Sequence, residues 1–330
     1  MKAVILTAPK SYEYLKIVSN RLIPEPKADE IRVKVHAVGL NPVDYKLVNG
    51  WGDVKWDFPV VLGLDVAGII DKVGKNVTTF VQGDKVYYHG NLSKENGGFA
   101  EYACTTAHTV SRIPNGLDMI GAAALPCSGF TAYQAVKKKL KPISGKTILI
   151  HAGAGGVGGY AIQLAKLENL KIFTTCSERN FEYVKELGAD FAIDYNTQNI
   201  EDYIKYQTGG RGVDYIINTV DSATATTDID LLAFGGELVA VVEHPDFNKI
   251  NFYEKAMSLH EVALGGAHIN GDYSSQLELA EIGRIMADYI VEGIIKLPQI
   301  KVIQMEEIPK YLEMLETRHV AGKIVAKISE

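Results

Sequence analysis

A run of β-type residues, Thr147-Ile148-Leu149-Ile150-His151, breaks into glycines and gives way at once to an amphipathic segment. Strand, glycine turn and helix in immediate succession leave a chain few folds to choose from. Gly153, Gly155 and Gly158 stand in the G-x-G-x-x-G spacing of a dinucleotide-binding fingerprint. In that fingerprint the first glycine permits a tight turn and the second lets the backbone approach a pyrophosphate. The third lets the helix pack closely on the strand. The helix N-terminus then offers N–H groups and a positive dipole end to the phosphates. Gly153, Ala154, Gly155, Gly156, Val157 and Gly158 are therefore the expected phosphate-binding residues.

The chain around this segment reads as α/β. Over 30–40, Ile31, Val33, Val35 and Ala37 alternate with Arg32, Lys34 and His36, the period of a half-buried strand. Further strand-like runs at 60–73, 85–89 and 99–105 are separated by turns such as Gly83-Asp84 and Asn96-Gly97-Gly98. After Pro126 the texture changes to a helix over 129–139 and then to βα units. The expected strands are 147–151, 171–176, 191–194, 213–220, 236–242 and 262–267, with helices over 157–167, 181–187, 200–208 and 224–232. Six strands with interleaved helices predict an open, doubly wound parallel sheet. The tail carries helices over 276–293 and 308–318 and a last strand over 323–328. That strand lacks a βα partner and is expected to return to the first, β-rich domain.

Composition narrows the class further. A chain of 330 residues, 47% hydrophobic and 22% charged, describes a soluble globular protein of two domains. A net charge of -6 offers no footprint for nucleic acid. No apolar run has the length of a membrane span, and the first residues read as a strand rather than a secretory signal. Cys104, Cys127 and Cys176 are odd in number and far apart, which argues against a disulfide framework and for a reducing cytoplasm.

The dinucleotide type depends on the end of the second strand of the sheet, where an acidic residue accepts the ribose 2′-OH in NAD sites. Here Ser177 holds that place, followed by Glu178 and Arg179. In an extended turn Ser177 and Arg179 share one side and Glu178 takes the other. A hydroxyl and a guanidinium suit a 2′-phosphate, so NADPH is the expected cofactor. A Glu178 side chain facing the ribose would instead favour NAD.

Several segments together resemble the medium-chain dehydrogenase/reductase superfamily. They are GAGGVGGYAIQLAK from Gly153, Gly63-Leu64-Asp65-Val66-Ala67-Gly68, Gly97-Gly98-Phe99-Ala100-Glu101-Tyr102, Phe130-Thr131-Ala132-Tyr133, Leu187-Gly188-Ala189-Asp190 and Gly322-Lys323-Ile324-Val325. The resemblance spans the chain in order. It implies a GroES-like, mostly-β catalytic domain over 1–121, completed by 269–330, around a Rossmann NADP-binding domain over 122–268. At the positions where the zinc-dependent members hold their metal, this chain has Asn41, Leu64 and Cys127, and the four-cysteine structural lobe is missing. Leucine cannot ligate zinc and an amide is a poor ligand, so no metal is expected. Without zinc the chain is similar to the quinone oxidoreductase-like branch, and Asn41-Pro42-Val43-Asp44-Tyr45-Lys46 resembles a segment common in its enone-reducing members.

That resemblance implies NADPH-dependent reduction of quinones or of the C=C bond of α,β-unsaturated carbonyls. Enolate stabilisation without a metal needs hydrogen-bond donors, for which Asn41, Tyr45 and Lys46 are the candidates. The proton comes from Tyr45, Lys46 or water. Thr131 matches a threonine beside the nicotinamide, and Tyr195 a tyrosine beside the 2′-phosphate. Tyr195 also reads as a surface aromatic, and Asp44 as a cap for the turn. His36 is expected as a solvated strand position, and His89, His151, His244 and His268 as loop residues at strand ends. The Lys137-Lys138-Lys139 run is a solvated helix end. Similarity to the family also implies a homodimer, with the strand over 236–242 near a sheet edge, and a small-molecule substrate. A nucleotide-binding structural or regulatory protein, like the recruited zeta-crystallins, is the alternative from another class, and a zinc alcohol dehydrogenase the second enzyme alternative.

Overall fold

The alternation over 30–40 marks the central strand of a β-rich unit. In the computed structural model, which describes residues 1–52 and 56–329, the chain begins with β1 (Ala3–Leu6), β2 (Leu15–Val18) and β3 (Glu30–Leu40). A short helix, α1 (Pro42–Val48), and strands β4 (Val60–Val61), β5 (Asp65–Val73), β6 (Lys85–His89), β7 (Tyr102–Thr106) and β8 (Ser111–Arg112) follow. β1 pairs antiparallel with β2 and β4. β3 pairs antiparallel with both β5 and β7, β5 continues to β6, and β6 to β8. Val33 and Val35 are fully buried on β3. Each such side chain contributes roughly 1.5–3 kcal/mol by leaving water. The strand expected over 60–73 is split at Gly63, whose φ of 97° turns the chain and whose backbone lies so close to the Phe99 ring that a Cβ would sit 2.6 Å from it.

Next come α2 (Met119–Ala123), capped by the Asp118 carboxylate accepting from Gly121 N–H, and a π-helical stretch, Pro126–Phe130. It leads into α3 (Thr131–Tyr133) and a second π-helical stretch, Gln134–Leu140. The helix expected over 129–139 therefore exists but is wound more widely than 3.6 residues per turn. At its end Lys138 and Lys139 are exposed, whereas Lys137 is half-buried and paired with Glu168.

The βα units are β9 (Thr147–Ile150), α4 (Gly156–Leu167), β10 (Lys171–Cys176), α5 (Phe181–Glu186), β11 (Phe191–Asp194), α6 (Ile200–Gln207), β12 (Val213–Asn218), α7 (Ser222–Leu231), β13 (Leu232–Ala240), α8 (Phe252–Lys255) and β14 (Ser258–Glu261). Their strands form one parallel sheet in the order β11-β10-β9-β12-β13-β14. The order reverses between β9 and β12, the switch point at which doubly wound sheets bind ligands. Leu149, Phe173, Ile193, Ile216 and Leu238 fill the core beneath the helices.

The sixth strand is not the apolar run over 262–267. It is the polar segment Ser258–Glu261, and Leu264–Ile269 is a helix, α9. An edge strand needs no apolar alternation, and β14 is joined to β13 by its ladder and by His260 Nε2 at 2.8 Å from Glu237 Oε2. The edge is thus β14, and β13 is interior.

The tail adds α10 (Tyr273–Val291), β15 (Ile300–Gln304), α11 (Ile308–Glu316) and β16 (Lys323–Lys327). β16 does return to the β-rich unit, antiparallel to β3 with Ile324 opposite Leu40. It also has the βα partner that the sequence reading denied it, since β15 runs parallel beside it. The chain divides into two compact units, Met1–Phe130 with Leu264–Glu330, and Thr131–Ala263. The boundaries expected after 121 and 268 both shift. Ala122, Ala123, Leu125 and Phe130 are fully buried in the β-rich unit, where Phe130 lies against Gly283 of α10, and α9 belongs there too. Among the described residues no helix is long and apolar enough to cross a membrane.

Candidate functional site

In the unit Thr131–Ala263 the glycine loop lies at the C-terminal end of β9. Ala152, not Gly153, is the residue in the left-handed region, with φ 52°. Gly153 is required for another reason, because a Cβ there would sit 2.0 Å from Thr174 Oγ1. At Gly158 a Cβ would meet Ala152 O at 2.3 Å, so this glycine lets the loop and α4 close together. Gly155 differs from both: its Cβ position has only Ala152 O nearby, at 3.2 Å, so the loop is open on that side. The first intrahelical bond of α4 runs from Gly159 N–H to Gly155 O (3.0 Å). Gly156, Val157 and Gly158 thus form the turn whose N–H groups precede the ladder. These residues fit a bound pyrophosphate: two glycines close the cradle and one leaves it open. Ala154 is buried at the base of the loop, and Thr131, 6% exposed, lies in α3, which packs on α4.

β10 and β11 pair in register, Cys176 opposite Asp194, so Ser177 and Tyr195 emerge from neighbouring strand ends. Glu178–Asn180 is a single helical turn, with Ser177 Oγ accepting from Asn180 Nδ2 (3.0 Å). The expected alternation of Ser177 and Arg179 against Glu178 therefore fails, because a helical turn does not alternate sides. Arg179 is exposed, as is Tyr195 at 52%.

The β-rich unit holds a buried polar cluster that sequence reading did not assemble. Asn41 starts α1 with Pro42 behind it, and its N–H donates to Asp44 Oδ2 (2.8 Å). Its side chain is 1% exposed: Oδ1 accepts from the Lys323 ammonium (2.5 Å) and Nδ2 donates to Gly39 O (3.3 Å). The amide expected to donate to substrate is therefore already engaged. Tyr45, 7% exposed, packs with Leu47 and Val48 in the core, and Lys46 is half-buried with its ammonium 6.0 Å from the Trp51 ring centre.

Asp65 lies at the centre of this cluster, fully buried. It accepts from His89 Nδ1 (2.8 Å) and from Cys127 N–H (3.0 Å to each oxygen), and Lys323 Nζ stands 3.6 Å away. Burial pushes its pKa upward, but the His89 hydrogen bond and the Lys323 charge outweigh that and hold it below the usual carboxylate range. Asp44 goes the other way. Burial, reinforced by the charge of Asp65, pushes it up to about 7, and its Oδ1 has no hydrogen-bond partner. Asp65, His89 and Cys127 also bring three ligand-type atoms within 4.8 Å of one another. Burial keeps the Cys127 thiol well above its ordinary pKa. Leu64 beside them is buried and apolar. One signal for this cluster was legible: a lysine heading the apolar strand Lys323-Ile324-Val325-Ala326 needs a buried partner.

The histidines expected at strand-end loops divide. His89 is within β6, and His151 is buried against Asp228. His244 stacks on Phe247, and His268 is buried in α9, where desolvation pushes it down to about 4. His36 is half-buried with an unpartnered Nε2 rather than solvated.

Comparison with known proteins agrees with this two-part architecture. Residues 27–115 match the alcohol dehydrogenase GroES-like domain family, and residues 156–282 match the zinc-binding dehydrogenase family. Quinone oxidoreductase of Homo sapiens is 36% identical over 242 residues, covering 73% of each chain. The 2-methylene-furan-3-one reductase of Solanum lycopersicum is 39% identical over 227 residues, 64% of this chain and 58% of that protein. The solved structure of the quinone oxidoreductase from Coxiella burnetii aligns with TM-score 0.87 and 31% identity over 100% of this chain and 99% of that one.

Proposed function

The chain belongs to the medium-chain dehydrogenase/reductase superfamily, in its quinone oxidoreductase-like branch, and on that footing we propose that it is an NADPH-dependent oxidoreductase that reduces quinones or enones and alkenals without a metal. The observation that carries the reading is the glycine cradle, closed at Gly153 and Gly158 and open at Gly155. A reduced nicotinamide held there by Gly156, Val157 and Gly158 would supply the hydride. Arg179 and Ser177, with Tyr195 at the adjacent strand end, supply the donors for a 2′-phosphate, which supports NADPH over NADH.

Metal independence is supported by the cluster around Lys323. The three positions that hold the metal in the zinc-dependent members do not supply a zinc ligand set here, although Asp65, His89 and Cys127 lie close together. Asn41 is bonded to an ammonium and Leu64 carries no donor, so of those three positions only Cys127 offers a zinc ligand. Hydride addition to the β-carbon of an enone places negative charge on its carbonyl oxygen, which the chain must meet with hydrogen-bond donors. Lys46 and the Tyr45 hydroxyl take that role, and the proton comes from one of them or from water. Asn41, though named among the donors by its position, acts by fixing the first turn of α1 that carries them. The substrate class is a small apolar carbonyl compound or quinone.

We also assign a homodimer through the free edge of β14 and a cytoplasmic location, consistent with three free thiols. Absorbance of NADPH followed against a panel of quinones, 2-alkenals and enones, before and after dialysis against a chelator, tests the assignment. Turnover with at least one class, unchanged by chelation, is expected. No turnover on any class, or turnover lost to chelation and restored by zinc, would overturn it.

A further inference from the structure

Beneath the glycine loop lies a buried polar chain that hydride transfer does not use. His151, Thr175, Asn218 and Asp228 are each at most 3% exposed. Asp228 Oδ1 is 2.8 Å from His151 Nε2, and its Oδ2 accepts from Asn218 Nδ2 (2.7 Å). A carboxylate only accepts, so Nε2 carries the hydrogen, and in the singly protonated ring Nδ1 is left as an acceptor. Thr175 Oγ1, 3.1 Å from Nδ1, must then donate to it. That leaves the oxygen lone pairs of Thr175 to accept Ala152 N–H (3.1 Å). With the carboxylate charged and the imidazole singly protonated, every direction in the chain is determined.

The chain ends on the one strained residue of the loop. Ala152 has φ 52°, a conformation an L side chain adopts only at a cost. Thr219 Oγ1 donates to His151 O (3.0 Å), tying the end of β12 to the same point. On the opposite face of β10, Thr174 Oγ1 donates to Ile150 O (2.7 Å) and is the atom that bars a side chain at Gly153. Consecutive threonines thus brace the loop from both faces of the strand.

We propose that His151, Thr175 and Asp228 are positioning residues that hold Ala152 in its left-handed turn and so preset the glycine loop for the dinucleotide. This rests on the reading of that loop as a dinucleotide site. Glycine at 152 would adopt the turn unaided but would also leave it. Alanine under the clamp keeps the cradle formed before the ligand arrives, which lowers the ordering cost of binding.

Thr175→Val conserves volume and removes both hydrogen bonds. Fluorescence titration with NADPH and NADH should show both dissociation constants raised about tenfold. Adding Ala152→Gly to that variant should return most of the lost affinity, because glycine holds a positive φ without strain. A purely structural role for Thr175 would lower the melting temperature with no such rescue. Unchanged affinity in Thr175→Val, or no recovery in the double variant, overturns the clamp and leaves the dinucleotide reading standing. A wild-type protein that binds neither nucleotide overturns both. If Thr175→Val does not fold, amide exchange on the nucleotide-free wild type decides: slow exchange at Ala152 is expected, and exchange as fast as that of an exposed loop refutes the clamp.

Discussion

Asp44 and Asp65 share one buried cluster, yet their surroundings drive them in opposite directions. Asp65 is held ionised by His89, the Cys127 amide and Lys323, whereas Asp44 has one oxygen without a partner and is raised from 3.8 to about 7. Between those values the native state keeps a proton that the unfolded chain has released. Stability from this group therefore falls as pH rises through that window. His268, lowered by burial from 6.5 to about 4, and His36, lowered likewise, contribute the opposite slope within the same window. The comparison is thus wild type against Asp44→Asn, which retains an acceptor for Asn41 N–H. Urea unfolding across the window should show the variant losing less stability with rising pH. Parallel slopes would mean that Asp44 ionises normally. Arg179→Ala belongs at the same scale: NADPH affinity should drop about tenfold or more and NADH affinity little, since a charged hydrogen bond is lost only with the 2′-phosphate. Equal losses would remove the phosphate assignment. Tyr45→Phe and Lys46→Ala should lower turnover and spare nucleotide binding. Full turnover in both would send the search for a proton donor elsewhere.

Among the elements, β16 matters most. It carries Lys323 into the cluster, where the ammonium meets Asn41 Oδ1 and Leu40 O and faces Asp65. Removing one partner of a buried pair leaves the other uncompensated, at about 3–5 kcal/mol. Lys323→Met should destabilise the protein by that order in denaturant titration, and Lys323→Met with Asp65→Asn by clearly less. Additive losses in the double variant would show that the two groups do not interact. The elements also show where periodicity is informative. β10 and β11 have the bounds the sequence predicts because their residues are buried on a parallel sheet. β14 was missed because an edge strand of Ser258, Leu259, His260 and Glu261 has no apolar alternation, while the apolar residues that follow it turn away into α9. β15 was missed for the same reason, its exposed Lys301, Val302 and Gln304 giving no clear face.

At the scale of the whole molecule, β14 ends the parallel sheet, paired among the described residues with β13 alone. Val262 N–H bonds inward to Ala240 O (3.3 Å), so Glu261 N–H faces away from the sheet. A second copy pairing along this edge would use that donor. Light scattering should give a dimer for the wild type and a shift towards monomer for Glu261→Pro, which removes the outward donor and spares the ladder to β13. A wild-type monomer, or a variant that stays dimeric, would move the interface elsewhere.

The βα order, the helix that follows the glycines and the place of the loop at the end of β9 were legible in the sequence, because strand and helix periods are written in neighbouring residues. The reasons behind individual positions were less so. Gly153 looked like a turn residue, but Thr174 is what excludes a side chain there and Ala152 makes the turn. The functional clusters belong to tertiary structure. Lys323 reaches Asn41 across 282 residues of chain, and His151 reaches Asp228 across 77. No local pattern records such pairs, since a charge enters an apolar interior only where the fold brings its partner.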